Sequence, residues 1–246
     1  MSGTTSGAVA RAAAPALLFD LDGTLIDSVY QHVIAWRNAL AEAGIDLAVW
    51  RIHRRIGMSG GLFVNALVRE TGRKLTAEQV EAIQRAHAEE YLKQRASVVP
   101  LPGAVELLRT LTGRGIPWAI ATSGQRRTAG HALELLGLPE DTLMVTRDQV
   151  RFAKPDPDLF LAAADRLGAD PRQTMVVGDS VWDLLAARRA GALGVGLLSG
   201  GYGRDELERT GAYRVYTDPA DLLDRLDELG VRSGDDAGYD AGDDPV

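Results

Sequence analysis

The feature that most constrains this fold is a regular alternation of short apolar runs and helical segments in the second half of the chain. Apolar runs lie at 116–121, 143–145, 174–177 and 194–198, and helical patterns lie between them at 125–136, 156–167 and 182–190. Strands and helices that alternate in this way form a parallel sheet with helices on both faces. The sequence therefore predicts an α/β fold with a doubly wound parallel-sheet (Rossmann-like) core.

The rest of the chain adds further elements to that core. We assign 15–19 to the first strand, 205–209 to a short helix, 213–216 to an edge strand and 220–229 to a closing helix. Residues 28–97 show helical spacing without strand alternation. We therefore predict an all-helical cap domain at 28–97, inserted into an α/β core made of 15–27 and 98–229. Because the insert follows the first strand directly, it should lie over the carboxyl end of that strand.

Composition excludes several classes of function. The formal net charge of −7 provides no basic surface for nucleic acid. The absence of cysteine excludes disulfides, thiolate metal sites and cysteine nucleophiles, and is typical of a cytoplasmic protein. No apolar stretch approaches the ~18 residues of a membrane span, so no membrane partner is predicted. We expect residues 1–14 to form a disordered leader and residues 230–246 a disordered acidic tail. The sequence does not indicate an oligomeric state.

Polar residues follow four of the predicted strands. They are Asp20-Leu21-Asp22-Gly23-Thr24, Thr122-Ser123-Gly124, Lys154, and Gly178-Asp179 with Asp183. The carboxyl ends of parallel strands meet at one edge of a sheet, where open α/β folds bind ligands. The chain contains 24 arginines but only three lysines, so Lys154, held just before a proline, indicates a need for a compact positive charge.

These residue types suggest a metal and an anion. Four aspartates without histidine or cysteine are the hard oxygen ligands that Mg²⁺ prefers. Thr122, Ser123 and Gly124 precede a helix and offer hydroxyl and backbone N–H groups to an anion. Structural explanations remain open for each cluster: a strand end closed by a capping aspartate, a Ser/Thr N-cap, a solvated loop lysine, and two acids favoured by a helix dipole.

Together the four clusters resemble the motifs of the haloacid-dehalogenase-like hydrolase superfamily. The first motif is Asp20-Leu21-Asp22-Gly23-Thr24, the second contains Thr122 or Ser123, the third is Lys154, and the fourth is Gly178-Asp179 through Asp183. The resemblance extends over about residues 16–225. The helical insert looks like the C1 cap of the β-phosphoglucomutase and phosphoglycolate phosphatase branch.

The resemblance implies a Mg²⁺-dependent phosphatase that acts on a small phosphorylated metabolite. Asp20 would attack phosphorus and form an aspartyl-phosphate. Asp22 would serve as acid and base and bind the metal through its backbone carbonyl. The phosphoryl oxygens would be bound by Thr122 as the main hydroxyl donor and also by Ser123, Gly124 and Lys154. Mg²⁺ would lie between Asp20 and Asp179, with Asp183 as a direct ligand or just behind one.

Cap residues should select the substrate. His32 lies where β-phosphoglucomutase-like sequences also carry histidine, and Arg51 and Arg55 belong to a basic, glycine-flanked stretch that reaches the active site in C1 caps. Simpler explanations are a histidine at the protein surface and a solvated basic helix face. We expect His87 to be a surface residue, and Trp36 and Trp50 to belong to the core of the cap.

Other activities remain as alternatives. A sugar-phosphate mutase would use the same aspartyl-phosphate, but Thr24 and Gly178 favour hydrolysis, because the mutases tend to carry valine and a second acid at these positions. Asp22 disfavours dehalogenation. Phosphonate hydrolysis would require a cap lysine, which residues 45–65 lack. A catalytically silent binding protein on the same fold is the alternative from a different class.

Overall fold

The chain folds around one parallel sheet and a smaller antiparallel ribbon. The computed structural model describes residues 15–231, so the expected leader and most of the expected acidic tail lie outside the described residues. The strands are β1 (Ala16–Phe19), β2 (Ile26–Asp27), β3 (Val99–Pro100), β4 (Trp118–Ala121), β5 (Met144–Val145), β6 (Thr174–Gly178), β7 (Leu193–Leu197) and β8 (Ala212–Tyr216). Six of them form a sheet in the order β5-β4-β1-β6-β7-β8, in which every pairing is parallel. This order confirms the predicted doubly wound core.

Ten α-helices are present in the described part of the chain. The first four are α1 (Val29–Glu42), α2 (Val49–His53), α3 (Gly60–Thr71) and α4 (Ala77–Gln94). The others are α5 (Ala104–Gly113), α6 (Arg126–Leu135), α7 (Asp158–Leu167), α8 (Val181–Ala190), α9 (Arg204–Thr210) and α10 (Pro219–Asp224). Within residues 15–231, no helix combines the length and the apolar character needed to cross a membrane.

Strand β1 lies in the middle of the sheet, and both of its faces are buried. Leu17 and Phe19 pack in one hydrophobic cluster with residues of α5, whereas Leu18 packs on the opposite face with residues of α7 and α8. Side chains alternate across a strand, so a continuous apolar run is what a strand covered on both faces requires. The carboxyl end of β1 is therefore fixed between β4 and β6, and Asp20 follows it directly.

Helices α1–α4 occupy the stretch that we propose as the cap domain. They enclose their own hydrophobic cluster, which includes Val33, Trp36, Ile52 and Phe63. The chain leaves the core through β2 and returns through β3, and these strands pair antiparallel. Thr76 is the N-cap of α4, and its hydroxyl accepts a hydrogen bond from the Gln79 N–H at 3.3 Å.

Three details differ from the sequence-based prediction. Helix α5 was not predicted. The closing helix expected at 220–229 is interrupted at Arg225, so α10 is followed by a separate 3₁₀ turn at 226–229. Residue 231, which was assigned to the tail, belongs to the folded core, because Val231 is buried against the main hydrophobic cluster.

Candidate active site

Three buried acids meet at the carboxyl edge of the sheet. Asp20 follows β1, Asp179 follows the neighbouring β6, and Asp183 lies in the first turn of α8. Their carboxylate oxygens lie within 4.8 Å of one another, and all three residues are almost fully buried. The parallel register pairs Phe19 of β1 with Val177 of β6, so Asp20 and Asp179 both lie within two residues of the last paired position. The site is therefore built by adjacent strand ends, as the positions of the acids in the sequence predicted.

Glycines from separate loops leave room for Asp179. Gly23 has a φ of +86°, and a Cβ there would lie 2.6 Å from Asp179 Oδ2. A Cβ at Gly200 would overlap the same oxygen. Thr24 supplies a hydrogen bond in this space, since its hydroxyl donates to Asp179 Oδ1 at 3.0 Å. The loop that contains Gly200 was not identified from the sequence, because no polar motif marks it.

Lys154 is fully buried between two of the acids. Its ammonium group contacts the carboxylate of Asp20 and lies 2.8 Å from Asp183 Oδ1. Burial alone would lower the pKa of Lys154, but the attraction of Asp183 and Asp20 outweighs burial and raises that pKa above its ordinary value. The structure therefore rules out a solvated loop lysine. The second oxygen of Asp183 accepts hydrogen bonds from the Ser180 hydroxyl at 2.6 Å and from the Ser180 N–H at 3.1 Å.

Asp20 and Asp179 resist ionisation when only Lys154 balances their charge. Burial raises the pKa of Asp20 to about 7, against the lowering effect of Lys154 and with a further rise from Asp183 and Asp22. Burial, then Asp183 and Asp20, raise the pKa of Asp179 well above its ordinary value. A bound divalent cation would offset this cost. Buried oxygen donors with unbalanced charge thus fit a hard cation of the Mg²⁺ type.

Asp22 faces away from the acid cluster and toward the cap. Its Oδ1 accepts a hydrogen bond from the Ser28 hydroxyl at 2.6 Å and lies 3.1 Å from His32 Nε2. Burial would raise the pKa of Asp22, but the charge and hydrogen bond of His32, the hydrogen bond of Ser28 and the charge of Lys154 together hold that pKa below its ordinary value. The two carboxylates of the first motif thus have different environments, which suits two different chemical roles.

The loop after β4 presents polar groups to the cleft. The hydroxyl of Thr122 accepts a hydrogen bond from the Gly124 N–H at 2.9 Å, which fixes the turn before α6. The Ser123 hydroxyl is buried and has no hydrogen-bond partner among the described residues. Buried hydroxyls without a partner are uncommon in folded proteins. A ligand oxygen would supply the missing partner, and the Thr122 hydroxyl keeps its own proton free to donate.

A cleft of about 310 Å³ lies between the proposed cap and the core. The core contributes Asp20, Asp22, residues 122–125, Thr128, Arg147 and Asp148, and the cap contributes His32, Trp36, residues 55–58, Gly60, Gly61, Gln84, His87 and Ala88. A volume of this size accommodates a small molecule. The cleft therefore brings Asp20, Asp22, the hydroxyl loop and the cap residues around one space, and Asp20 connects this space to the buried Asp179 and Asp183.

His87 lines this cleft, so the expectation of a surface histidine was wrong. Its Nε2 lies 3.1 Å from His32 Nδ1, and its ring stacks on Trp36 at a centroid distance of 3.9 Å. Burial, followed by the charge of His32, lowers the pKa of His87 well below its usual range despite the opposite effect of Asp22. His87 is consequently neutral at pH 7. On α4, His87 lies four positions after the buried Ile83 and four before the buried Tyr91, so this spacing was a signal in the sequence that the expectation did not use.

The other cap residues divide between the cleft and the surface. Arg55 lines the cleft, but its guanidinium is paired with Glu70. Arg51 also pairs with Glu70, at 3.4 Å, and is not among the residues that line the cleft. Trp36 is buried in the cap as expected, whereas Trp50 is 63% exposed. Trp50 and the buried Ile52 are two positions apart on a helix and therefore point in nearly opposite directions.

The C-terminal end of α2 and the residue after it contact the loop that contains Gly200, beside Asp179. His53 Nε2 lies 2.9 Å from the Gly200 carbonyl oxygen, and the Tyr202 hydroxyl donates to the Arg54 carbonyl at 2.7 Å. The Arg54 guanidinium forms an ion pair with Glu206 and also lies over the Tyr202 ring. The cap thus contacts the core beside the acid cluster, in the region that was predicted to reach the active site.

Comparison with known proteins identifies the class of this site. A family model described as haloacid dehalogenase-like hydrolase matches residues 14–191, so the chain belongs to this family of hydrolases. It is 34% identical to hexitol phosphatase A of Escherichia coli, over 71% of this chain and 78% of that protein. It is 33% identical to a phosphoglycolate phosphatase of Rhodospirillum rubrum, over 86% of this chain and 90% of that protein.

Solved structures agree with this membership. A hydrolase from Pseudomonas syringae is 56% identical and has a TM-score of 0.86, with 87% of this chain and 98% of that chain covered. A beta-phosphoglucomutase from Clostridium difficile shares the fold at 21% identity, with a TM-score of 0.77 over 88% of this chain and 96% of that chain. The family and the capped branch expected from the sequence motifs are confirmed.

Proposed function

We propose that this protein is a Mg²⁺-dependent phosphatase that hydrolyses small phosphate monoesters through an aspartyl-phosphate on Asp20. The observation that carries the proposal is the buried Asp20–Asp179–Asp183 cluster with Lys154, which opens on a cleft lined by an unpartnered hydroxyl. The similarity to proteins named as phosphatases of hexitol phosphate and phosphoglycolate supports the same reaction class.

In the first step, a carboxylate oxygen of Asp20 attacks phosphorus and the bond from phosphorus to the alcohol oxygen breaks. The bonding electron pair leaves with that oxygen, which takes a proton from Asp22. The pKa of Asp22 is low in the free protein, but the negative charge of a bound phosphate beside it raises that pKa and favours the protonated acid. Ser28 and His32 hold the Asp22 side chain in place for the transfer.

In the second step, Asp22 accepts a proton from water while the water oxygen attacks the phosphorus of the aspartyl-phosphate. The bond between Asp20 and phosphorus breaks, which restores the carboxylate and releases inorganic phosphate. Throughout both steps the hydroxyls of Thr122 and Ser123, the Gly124 turn and the ammonium of Lys154 stabilise the charge on the phosphoryl oxygens. A carboxylate nucleophile needs no base to activate it.

Asp20, Asp179 and Asp183, with the backbone carbonyl of Asp22, would hold the Mg²⁺. When bound, the ion neutralises charge between the carboxylate nucleophile and the phosphate. Hydrogen bonds from Thr24 to Asp179 and from Ser180 to Asp183 fix the orientation of these ligands.

The proposal is tested with p-nitrophenyl phosphate in the presence and absence of Mg²⁺. Asp20→Asn should lower kcat by at least about 10³-fold, because the amide cannot act as the nucleophile. Asp27→Asn, an exposed aspartate in β2, is the matched control and should stay near the parent rate. EDTA should abolish the activity and Mg²⁺ should restore it. Activity of Asp20→Asn within tenfold of the parent would contradict the nucleophile assignment. With a sugar phosphate, isomerisation without release of inorganic phosphate would instead support the mutase.

A further inference from the structure

Arg147 enters the cleft from the core, next to the loop proposed to bind phosphate. It follows β5 and opens the 3₁₀ turn at 147–149, and its backbone N–H donates to the Gly124 carbonyl at 3.0 Å. The Gln149 side-chain oxygen accepts the Thr146 N–H at 3.1 Å, and the Gln149 N–H donates to the Thr146 carbonyl at 3.0 Å, which closes this turn. One arm of the Arg147 guanidinium donates to the Val150 carbonyl at 2.8 Å. The half-buried side chain is thus held on a rigid turn beside the reacting centre.

Within residues 15–231, the guanidinium of Arg147 has no acidic partner. Of the two arginines that line the cleft, Arg55 is neutralised by Glu70, whereas Arg147 has no carboxylate within ion-pair distance among the described residues. The adjacent Asp148 is engaged elsewhere, because its carboxylate accepts the Arg126 N–H at 2.9 Å. Lys154 is enclosed between Asp20 and Asp183. His87 is uncharged, because its pKa is lowered by burial and by His32. Arg147 therefore supplies the unneutralised fixed positive charge of this cleft.

We infer that Arg147 determines specificity by binding a second oxyanion, a carboxylate or a second phosphate, on the alcohol part of the phosphate monoester. This inference rests on the proposed phosphatase function and narrows its substrate class. A guanidinium with one N–H bound to a carbonyl retains several donors in a planar fork that matches carboxylate and phosphate oxygens. A neutral polyol would leave this charge without a counter-ion in a cleft that is partly screened from water.

The test uses esters that differ only in the group at the far end. Glycerol 1-phosphate, 3-phosphoglycerate and glycerol 1,3-bisphosphate carry a hydroxyl, a carboxylate and a second phosphate on the same three-carbon chain. The pair of 2-hydroxyethyl phosphate and phosphoglycolate repeats the comparison at two carbons. Each is assayed with Mg²⁺ against the parent, Arg147→Gln and Arg147→Lys. Arg151→Gln, which changes an exposed arginine of the same loop, is the matched control.

We expect Arg147→Gln to lower kcat/KM for the ester with the favoured oxyanion by about 10- to 100-fold, chiefly through KM. The neutral esters and p-nitrophenyl phosphate should change less than about threefold. Arg147→Lys should retain part of the preference, and Arg151→Gln all of it. The oxyanion is identified by which ester loses kcat/KM in Arg147→Gln, the one with the carboxylate or the one with the second phosphate. An equal loss on every ester, which would place Arg147 on the transferred phosphoryl group, or no loss on any, would overturn the inference.

A binding measurement separates this inference from the phosphatase proposal. Calorimetric Kd values for phosphoglycolate and 2-hydroxyethyl phosphate are compared between Asp20→Asn and the double variant Asp20→Asn/Arg147→Gln, neither of which needs to turn over. The Arg147→Gln substitution should raise the Kd of phosphoglycolate by at least about tenfold and leave the Kd of 2-hydroxyethyl phosphate unchanged. If the parent hydrolyses no ester, the proposed reaction fails. If the second substitution raises the Kd values of phosphoglycolate and 2-hydroxyethyl phosphate by the same factor, the specificity role of Arg147 is wrong.

Discussion

Replacing Lys154 by methionine tests the electrostatic design of the site most directly. The substitution keeps most of the side-chain volume but removes a buried ammonium that lies 2.8 Å from Asp183 Oδ1. At this distance, one ion pair corresponds to about 6 kcal/mol of Coulomb attraction at an effective dielectric constant of ~20. Part of that attraction is cancelled because burying the lysine is itself unfavourable, so we expect a net loss in unfolding free energy of about 3–5 kcal/mol.

The loss of unfolding free energy in Lys154→Met should depend on pH and on Mg²⁺. Without Lys154, the pKa of Asp20, already about 7, rises further, and protonation then relieves the repulsion among the acids. The destabilisation should therefore be small near pH 5 and should grow as the pH rises to 8. Saturating Mg²⁺ should reduce it, because a cation bound to the more negative cluster stabilises the folded variant.

Urea unfolding followed by circular dichroism, in EDTA and in Mg²⁺, measures these effects. Lys93→Met is the matched control, because Lys93 is 69% exposed and its ion pair with Glu90 lies at the surface. We expect the unfolding free energy of Lys93→Met to fall by less than about 0.5 kcal/mol at every pH. A loss below about 1 kcal/mol for Lys154→Met, unchanged by pH and by Mg²⁺, would refute the view that Lys154 balances the acid cluster.

Two further predictions concern Gly200 and His87. Gly200→Ala should raise the Mg²⁺ concentration for half-maximal activity at least tenfold, because the added Cβ would overlap the Asp179 carboxylate. In the control Gly203→Ala, the atom nearest to the added Cβ is 3.4 Å away, so the Mg²⁺ requirement should not change. An unchanged Mg²⁺ requirement in Gly200→Ala would contradict the packing argument. The pKa of His87 is lowered on folding by burial and by His32, so below about pH 6.5 the unfolded chain binds a proton that the folded chain does not. The advantage of the parent over His87→Gln in unfolding free energy should therefore fall by about 1 kcal/mol or more between pH 7.5 and pH 5, and an advantage independent of pH would show that His87 is protonated in the fold.

Residues at strand ends could be located from the sequence because parallel strands bring distant positions to a common edge. Asp20, Thr122 and Asp179 each directly follow a strand, and the structure brings them to the same end of the sheet as that rule predicts. Lys154 reaches the same site from the loop that follows β5. Helix α5 was missed although its apolar positions recur at helical spacing, so that omission reflects an overlooked pattern rather than a missing signal.

Features that arise from packing between distant segments could not be predicted. His87 shares a helix face with the buried Ile83 and Tyr91, so its burial had a signal in the sequence, but its contact with His32 in the cleft results from the packing of α4 against α1. The two-residue strands β2 and β3 exist only through their mutual pairing. Arg147 is one of 24 arginines, and only the arrangement of carboxylates around it shows that its charge is unneutralised.

The β2–β3 ribbon also bears on how enzymes of this design diversify. Paired strands lie about 4.8 Å apart, so the polypeptide departs from the sheet and rejoins it at nearly a single point. Segments whose two ends lie close together are readily exchanged in evolution without disturbing their host. Recombination at Ile26–Asp27 and Val99–Pro100 would therefore exchange the proposed helical cap, together with Ser28 and His32 that contact Asp22, and would leave the residues at the sheet edge in place.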